Sequence, residues 1–443
     1  MKIKKIIAAI CIFIFLCGCT SESDIDTDTG TKQILDTQTV CDGFNRIAVT
    51  FYGNTETQIG LSWYTPYKDN YGNDVEIIEK DTLEKQDISY EVQYGYGEYD
   101  EESMYHQTVI KGLTPDTEYY FRVGDKKSQE WSEYGSFKTG SRDIKEFLFV
   151  AVTDTQSEHL PDAYFSSATM KTAVSTAETP AFIMHSGDFV DDGGDESLWS
   201  AQMNSARDIL MNNIIVPAVG NHDADNNSFW QHFMLEKTNG HKTTGIYYSY
   251  DYGNVHFAVL DTNKTNDDDT SYIDDEQLKW LDEDLGKARE NGAKWIIVNT
   301  HRGSYTVGEH ASSDRYAGDD GMRLRLGRIL EKHDVALVIQ GHDHCPSVTK
   351  PIAEGKASEN GVIYINTGAA GSKSYEMGNN MTDEYYDMFQ YIDVEEREKD
   401  IYQNFAVVEV KESKIKVTMY ELDITKTENQ LYILYEFDIN RGD

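Results

Sequence analysis

Five short apolar runs punctuate the middle of the chain, and a polar cluster follows each one at once. Phe147 to Val152 precedes Asp154, Phe182 to Met184 precedes Asp188, Ile214 to Val219 precedes Asn221, Trp295 to Val298 precedes His301, and Val335 to Ile339 precedes His342. Apolar runs of this length bounded by polar turns read as buried strands. Helical spacing between and after them predicts helices over Asp162 to Glu178, Glu196 to Asn213, Asp274 to Asn291 and Gly321 to His333. The acids Asp274, Asp275 and Glu276 fall in a first turn, where negative charge suits the helix N-terminus. Strand and helix in alternation predict an α/β domain over residues 141–443. Phe405 to Val410 and Ile415 to Tyr420 read as its closing β-hairpin.

Upstream the period changes from helical to alternating. Gln58 to Tyr64, Ser89 to Tyr94 and Glu118 to Val123 are short alternating segments separated by turn signals. They predict an all-β sandwich over residues 40–140. Earlier still, a basic stretch from Met1 to Lys5 leads into an apolar run of eleven residues, Ile6 to Leu16. That run is too short to span a bilayer and reads as the core of a signal peptide over residues 1–18. Residues 19–39, rich in Ser, Thr and Asp, read as a flexible tether.

The formal net charge is −37. A body so acidic does not bind nucleic acid through a basic face, and long-range repulsion disfavours polyanionic substrates. Of the five cysteines, Cys11 and Cys17 lie in the signal segment and Cys19 follows it, so Cys41 and Cys345 are left in two different expected domains. The fold is therefore not expected to depend on disulfides.

The chemistry lies in the polar clusters: Asp154-Thr155-Gln156, Gly187-Asp188, Gly220-Asn221-His222-Asp223, His301 and Gly341-His342-Asp343-His344. They supply carboxylate, imidazole and amide oxygen, the donor types that hold two neighbouring divalent ions. Ligands at the ends of several strands converge on one edge of a sheet, where open α/β folds place their sites.

In this order, an Asp after the first strand, then GD, GNHD, a lone His and GHDH, the motifs resemble those of the calcineurin-like metallophosphoesterases, with the layout of the purple acid phosphatase branch, over roughly residues 144–425. The resemblance implies a four-layer αββα sandwich. It implies that Asp188 bridges two metals, that Asp154 and His344 complete one site, and that Asn221, His301 and His342 complete the other. Metal-activated hydroxide would attack the phosphorus of a small phosphate ester, with His222 as proton donor and Asp223 as the carboxylate orienting it. His310 and Arg302 are candidates for substrate contact. Two departures stand out. Gln156 occupies a place where many relatives carry a histidine ligand, and Asp191 a place where purple acid phosphatases carry a metal-binding tyrosine. Either is a candidate ligand or neighbour of the centre, and loss of the phenolate favours two divalent ions, Mn, Fe, Zn or Mg.

Two further resemblances complete the reading. Gly112 to Val123 resembles the later part of a fibronectin type III domain, and Trp63 fits its core tryptophan. Leu16-Cys17-Gly18-Cys19 resembles a bacterial lipoprotein cleavage site, implying lipidation at Cys19 and anchoring of an exported protein to a membrane. The expected activity is phosphomonoester hydrolysis at the cell surface or in the periplasm, with no protein partner. A phosphodiesterase acting on nucleotides or envelope polymers, and a binding protein with a decayed site, are the alternative readings.

Overall fold

The ends of five buried strands meet along one edge of two stacked sheets. The structure, a computed structural model, describes residues 39–40 and 43–441 apart from 69, 98–99, 157–158, 160–161, 224–227, 237–245, 374, 376, 379–380, 394–401 and 425–429. The expected signal peptide, Cys19 with nearly all of the tether, and Cys41 lie outside the described residues.

The first sheet has ten strands. From one edge they run Gln430–Asn440, Lys414–Asp423, Tyr402–Val410, Phe147–Val152, Ile183–His185, Ile215–Pro217, Asn45–Phe51, Gln58–Pro66, Asp100–Lys111 and Val92–Gly97. Its three central strands are parallel, pairing Val150 with Ile183 and Ile183 with Ile215. The second sheet has seven strands, and Val255–Leu260, Trp295–Thr300, Leu337–Gln340 and Ile363–Asn366 are parallel within it. Parallel strands with both faces covered need side chains that are apolar throughout, which is why these runs lack alternation.

Between the sheets lies an aromatic core. Phe149 stacks on Phe182 at 5.0 Å and meets Phe257 of the opposite sheet edge-on at 5.7 Å. The outer face of the seven-stranded sheet is covered by the helices Asp275–Glu290 and Met322–Lys332, through Leu281, Leu285, Leu326 and Leu330. The first of these starts where Asp274 accepts the amide of Gln277, as the acidic first turn predicts. On the outer face of the ten-stranded sheet the helix Ala163–Ala177 packs Met170 and Ala173 against the core. Helices, sheet, sheet and helices give the four layers expected.

Three details differ from expectation. The helix expected over Glu196 to Asn213 is two, Glu196–Ser205 and Arg207–Asn212, because Ala206 leaves helical geometry. The turn lets Arg207 reach the carboxylate of Glu133 and the carbonyl of Phe44. The strand expected from Ser89 starts at Val92 and runs on to Gly97. The closing hairpin has a third strand, Gln430–Asn440, broken in register opposite Met419 and Tyr420 and largely exposed along its outer edge.

The upstream sandwich shares the ten-stranded sheet. Four of its strands form the far end of that sheet, and its second sheet contains Asp74–Glu79, Glu118–Asp125 and Gly135–Lys138. Trp63 is fully buried between them and donates its indole N–H to the Gly72 carbonyl at 2.9 Å. The join is the pairing of Thr50 with Ile215, reinforced by the buried ion pair Arg46–Glu196 at 2.8 Å. Among the described residues, no helix is long and apolar enough to cross a membrane.

Candidate metal centre

Each expected ligand stands one to four residues past the end of its strand, on a loop bonded to the next loop. The amide of Asp154 donates to the Gly187 carbonyl, that of Gln156 to the Asp188 carbonyl, and that of Gly341 to the His301 carbonyl. Asp154, Asp188, His342 and His344 all have φ between 46° and 72°. Four non-glycine residues in the left-handed region are costly, and such strain gathers where side chains must be aimed. Close approach dictates two glycines. A Cβ on Gly220 would collide with Asp188, and one on Gly341 with Thr153 and Asp154.

Asp188 sits at the centre. Its Oδ1 accepts the His222 amide at 2.9 Å, and its Oδ2 lies 3.1 Å from His301 Nε2. The same nitrogen is 3.0 Å from Asn221 Oδ1. Donor atoms of Asp188, His301 and His342 lie within 4.8 Å of one another. On the other side, His344 Nε2 is 3.2 Å from Asp154 Oδ1, and the Asp154 carboxylate accepts the His342 amide at 3.0 Å. The structure thus brings Asp154, Asp188, Asn221, His301, His342 and His344 together.

The ring orientations and charges fit a metal pair. His301 donates Nδ1–H to the Ser186 carbonyl at 2.8 Å, and His344 donates its own to the Lys373 carbonyl at 3.0 Å. A carbonyl on one nitrogen fixes the tautomer that presents the other nitrogen's lone pair to a cation. Burial raises the Asp188 carboxyl, but the adjacent His301 ring outweighs it and holds the group well below the carboxylate range. Burial lowers His301, and Asp188 more than reverses this, to about 9. Burial, with the charges of His301 and Arg302, pushes His342 well down. Cations at this place would serve the same need to offset the buried carboxylates. Both amide atoms of buried Gln156 lack a hydrogen-bond partner, which suits a residue beside a metal site.

The expectation that Asp223 orients His222 is corrected. The Asp223 carboxylate is fully buried and accepts the amides of Phe189, Val190 and Gly220, binding the GD loop to the GNHD loop. His222 instead donates Nδ1–H to the backbone carbonyl of Asp191 at 2.6 Å, and the Asp191 carboxylate lies 3.6 Å from the same nitrogen. Asp191 itself is paired with Lys373. Arg302 reaches the Thr262 carbonyl and Asn263 and lies 4.6 Å over the Tyr272 ring, so its contacts are with the neighbouring loop. His310 stands beside the centre, its ring 4.5 Å from that of His342, and Nδ1 pairs with Asp343. Cys345 is buried, its thiol donating to the Tyr375 carbonyl at 3.2 Å.

Sequence reasoning gave Asp343 no role of its own and missed Lys373 and Tyr375. The Tyr375 ring stacks on His344 at 4.1 Å and 2°. The available signal was Gly368-Ala369-Ala370-Gly371, small residues where one backbone crosses another. Ala370 and Gly371 donate to the carbonyls of Thr153 and Asp154.

Residues 147–346 match the family model of the calcineurin-like phosphoesterases, and residues 44–139 that of the purple acid phosphatase N-terminal domain. The chain is 24% identical to purple acid phosphatase 23 of Arabidopsis thaliana over 298 residues, 60% of this chain and 62% of that one. It is 23% identical to purple acid phosphatase 22 of the same plant over 278 residues, 60% of this chain and 59% of that one. It thus spans about three fifths of the length of these curated relatives. Among solved structures, a purple acid phosphatase from yellow lupin (Lupinus luteus) seeds shares the fold with a TM-score of 0.71 at 18% identity, over 90% of this chain and 74% of that one. The chain carries a calcineurin-like phosphoesterase domain behind a purple acid phosphatase N-terminal domain, the arrangement of the purple acid phosphatases to which it is similar.

Proposed function

We propose that this protein is a two-metal phosphoesterase that hydrolyses small phosphate monoesters outside the cytoplasm, tethered through a lipid on Cys19. The observation that carries the reading is the convergence of six donors with His222 and His310 on one edge of the fold. Asp154, Asp188, Asn221, His301, His342 and His344 would hold two divalent ions, with Gln156 an added oxygen donor. When bound, such ions supply a water acidic enough to attack near neutral pH and positive charge for the phosphoryl oxygens.

The protein's own groups do the rest. His222, its side chain 34% exposed, commits Nδ1 to the Asp191 carbonyl, so Nε2 is the nitrogen that gives a proton to the leaving oxygen. His310, half exposed and fixed through Nδ1 by Asp343, presents its other nitrogen as a donor to the ester. The formal net charge of −37 favours small substrates over polyanions.

The test is the kcat/KM of metal-reconstituted protein on p-nitrophenyl phosphate relative to bis-p-nitrophenyl phosphate. A ratio well above one is expected, and Asp188→Asn should abolish both activities. A ratio well below one would make the protein a diesterase, and inactivity on both would leave a binding protein. Mass spectrometry of the mature N-terminus tests the anchor, with a lipid on Cys19 as the expected result.

A further inference from the structure

We propose that Lys373 is a positioning residue for the proton donor His222, and that it ties that residue to the metal ligand His344. The inference rests on the phosphoesterase reading above and extends it to a segment that none of the five motifs contains.

Lys373 lies past the strand Ile363–Asn366 in a segment pinned across the first ligand loop. Ala370 donates to the Thr153 carbonyl and Gly371 to the Asp154 carbonyl, both at 2.9 Å. Gly371 leaves no room there, since a Cβ would lie 2.7 Å from the Gln156 carbonyl oxygen. The backbone of Lys373 is thereby delivered to His344, whose Nδ1–H it accepts at 3.0 Å.

Its side chain turns to the other half of the site. The ammonium pairs with Asp191 Oδ1, and both side chains are largely buried, 20% and 24% exposed. Asp191 stands three residues after the central Asp188 and faces His222 with two different oxygens. Its carbonyl is 2.6 Å from Nδ1 and its carboxylate 3.6 Å.

These two oxygens differ in what they do to the imidazole. The carbonyl, at 2.6 Å, fixes the ring through Nδ1, whereas a carboxylate without its ammonium would compete for the same N–H and draw the ring aside. By engaging the carboxylate, Lys373 reserves the carbonyl for His222. The pair is also partly desolvated, where a lost partner costs more than at the surface. One residue therefore sets a ligand ring with its carbonyl and the proton donor with its ammonium.

The experiment compares Lys373→Met and Lys373→Arg with wild type on β-glycerophosphate, whose alkoxide needs a proton, and p-nitrophenyl phosphate, whose phenolate needs little. Lys373→Met is expected to lower kcat on the alkyl ester roughly ten- to a hundredfold, a share of what a general acid contributes. The loss on the aryl ester should be several-fold smaller, with KM and bound metal unchanged. Lys373→Arg should restore most of the loss, and in a His222→Ala background Lys373→Met should add none. Equal losses on the two esters, or a full additional loss without His222, would overturn the proposal.

A second readout separates this inference from the phosphatase reading. In zinc-loaded protein the 15N spectrum of His222 should show a hydrogen-bonded Nδ1–H that Lys373→Met disturbs. An undisturbed His222 would overturn the positioning role even in a protein inactive on both esters, and a disturbed one would support it there.

Discussion

His310 and Asp343 form a dyad at the edge of the centre: the ring of a half-exposed histidine is held through Nδ1 by a carboxylate that is 1% exposed. The other Asp343 oxygen accepts from Thr306 Oγ1, so the carboxylate is anchored between two ligand histidines before His310 reaches it. If His310 donates to the ester, His310→Ala should raise KM about tenfold, the scale of one lost hydrogen bond to a charged group. Asp343→Ala should do much the same, and the double variant little more. Steady-state kinetics on p-nitrophenyl phosphate checks this, and additive losses would separate the two residues.

Asp223 and His222 are neighbours in sequence with different work, and their variants should fail differently. His222→Ala is expected to cost roughly a hundredfold on alkyl phosphates and far less on p-nitrophenyl phosphate. Asp223→Ala strips three backbone amides of their acceptor. At about 1 kcal/mol or more for each buried donor left unsatisfied, it should lower Tm and metal retention without favouring either ester. A leaving-group dependence in Asp223→Ala would restore it as the partner of His222.

Gln156 carries two orphaned amide atoms in a buried position. If its Oε1 completes the first site, Gln156→Ala should weaken one of two metals by about ten- to a hundredfold. Gln156→His, which offers imidazole nitrogen, should shift that site towards zinc. Titration calorimetry of the apoprotein measures both, and two unaltered affinities in both variants would show that Gln156 is a bystander.

Iron-loaded, oxidised protein should lack a tyrosinate-to-iron absorption band in the visible. Asp191, at the place where the resemblance puts a metal-binding tyrosine in purple acid phosphatases, is paired with Lys373. A band that vanishes in Tyr375→Phe would instead identify the ring stacked on His344 as a phenolate ligand.

Away from the site, His256 lies between Asp251 at 2.8 Å and Asp284 at 2.9 Å. Burial lowers its pKa, but the two carboxylates outweigh burial and raise it to about 9. A raised value means that the charged form stabilises the fold, fully below the unfolded pKa of about 6.5 and no longer once pH passes about 9. Allowing for the solvent around Asp251, which is half exposed, the contribution is about 2 kcal/mol. His256→Gln should therefore lower Tm by a few degrees at pH 6, with the gap to wild type closing by pH 10.

The candidate site was legible because its residues sit where apolar runs end, and a run such as Val335 to Ile339 announces its own boundary. Lys373 and Tyr375 were not, because their role comes from one backbone crossing another at Gly371, which leaves no periodic trace. Asp223 was misassigned for a related reason. Adjacency to His222 suggested contact, whereas a turn sends consecutive side chains to opposite sides, and the carboxylate found amide donors on two loops. The third strand of the closing hairpin, Gln430–Asn440, escaped because it is an edge, with too little buried on either face to impose alternation.

The pairing of Thr50 with Ile215 makes the upstream unit a flank of the strand from which Asn221 and His222 emerge. Cutting the gene near codon 140 would not yield a minimal enzyme. It would bare the edge of Ile215–Pro217 that pairs with Thr50 and strand Glu196 without Arg46. In engineering, the two segments should be handled as one indivisible part.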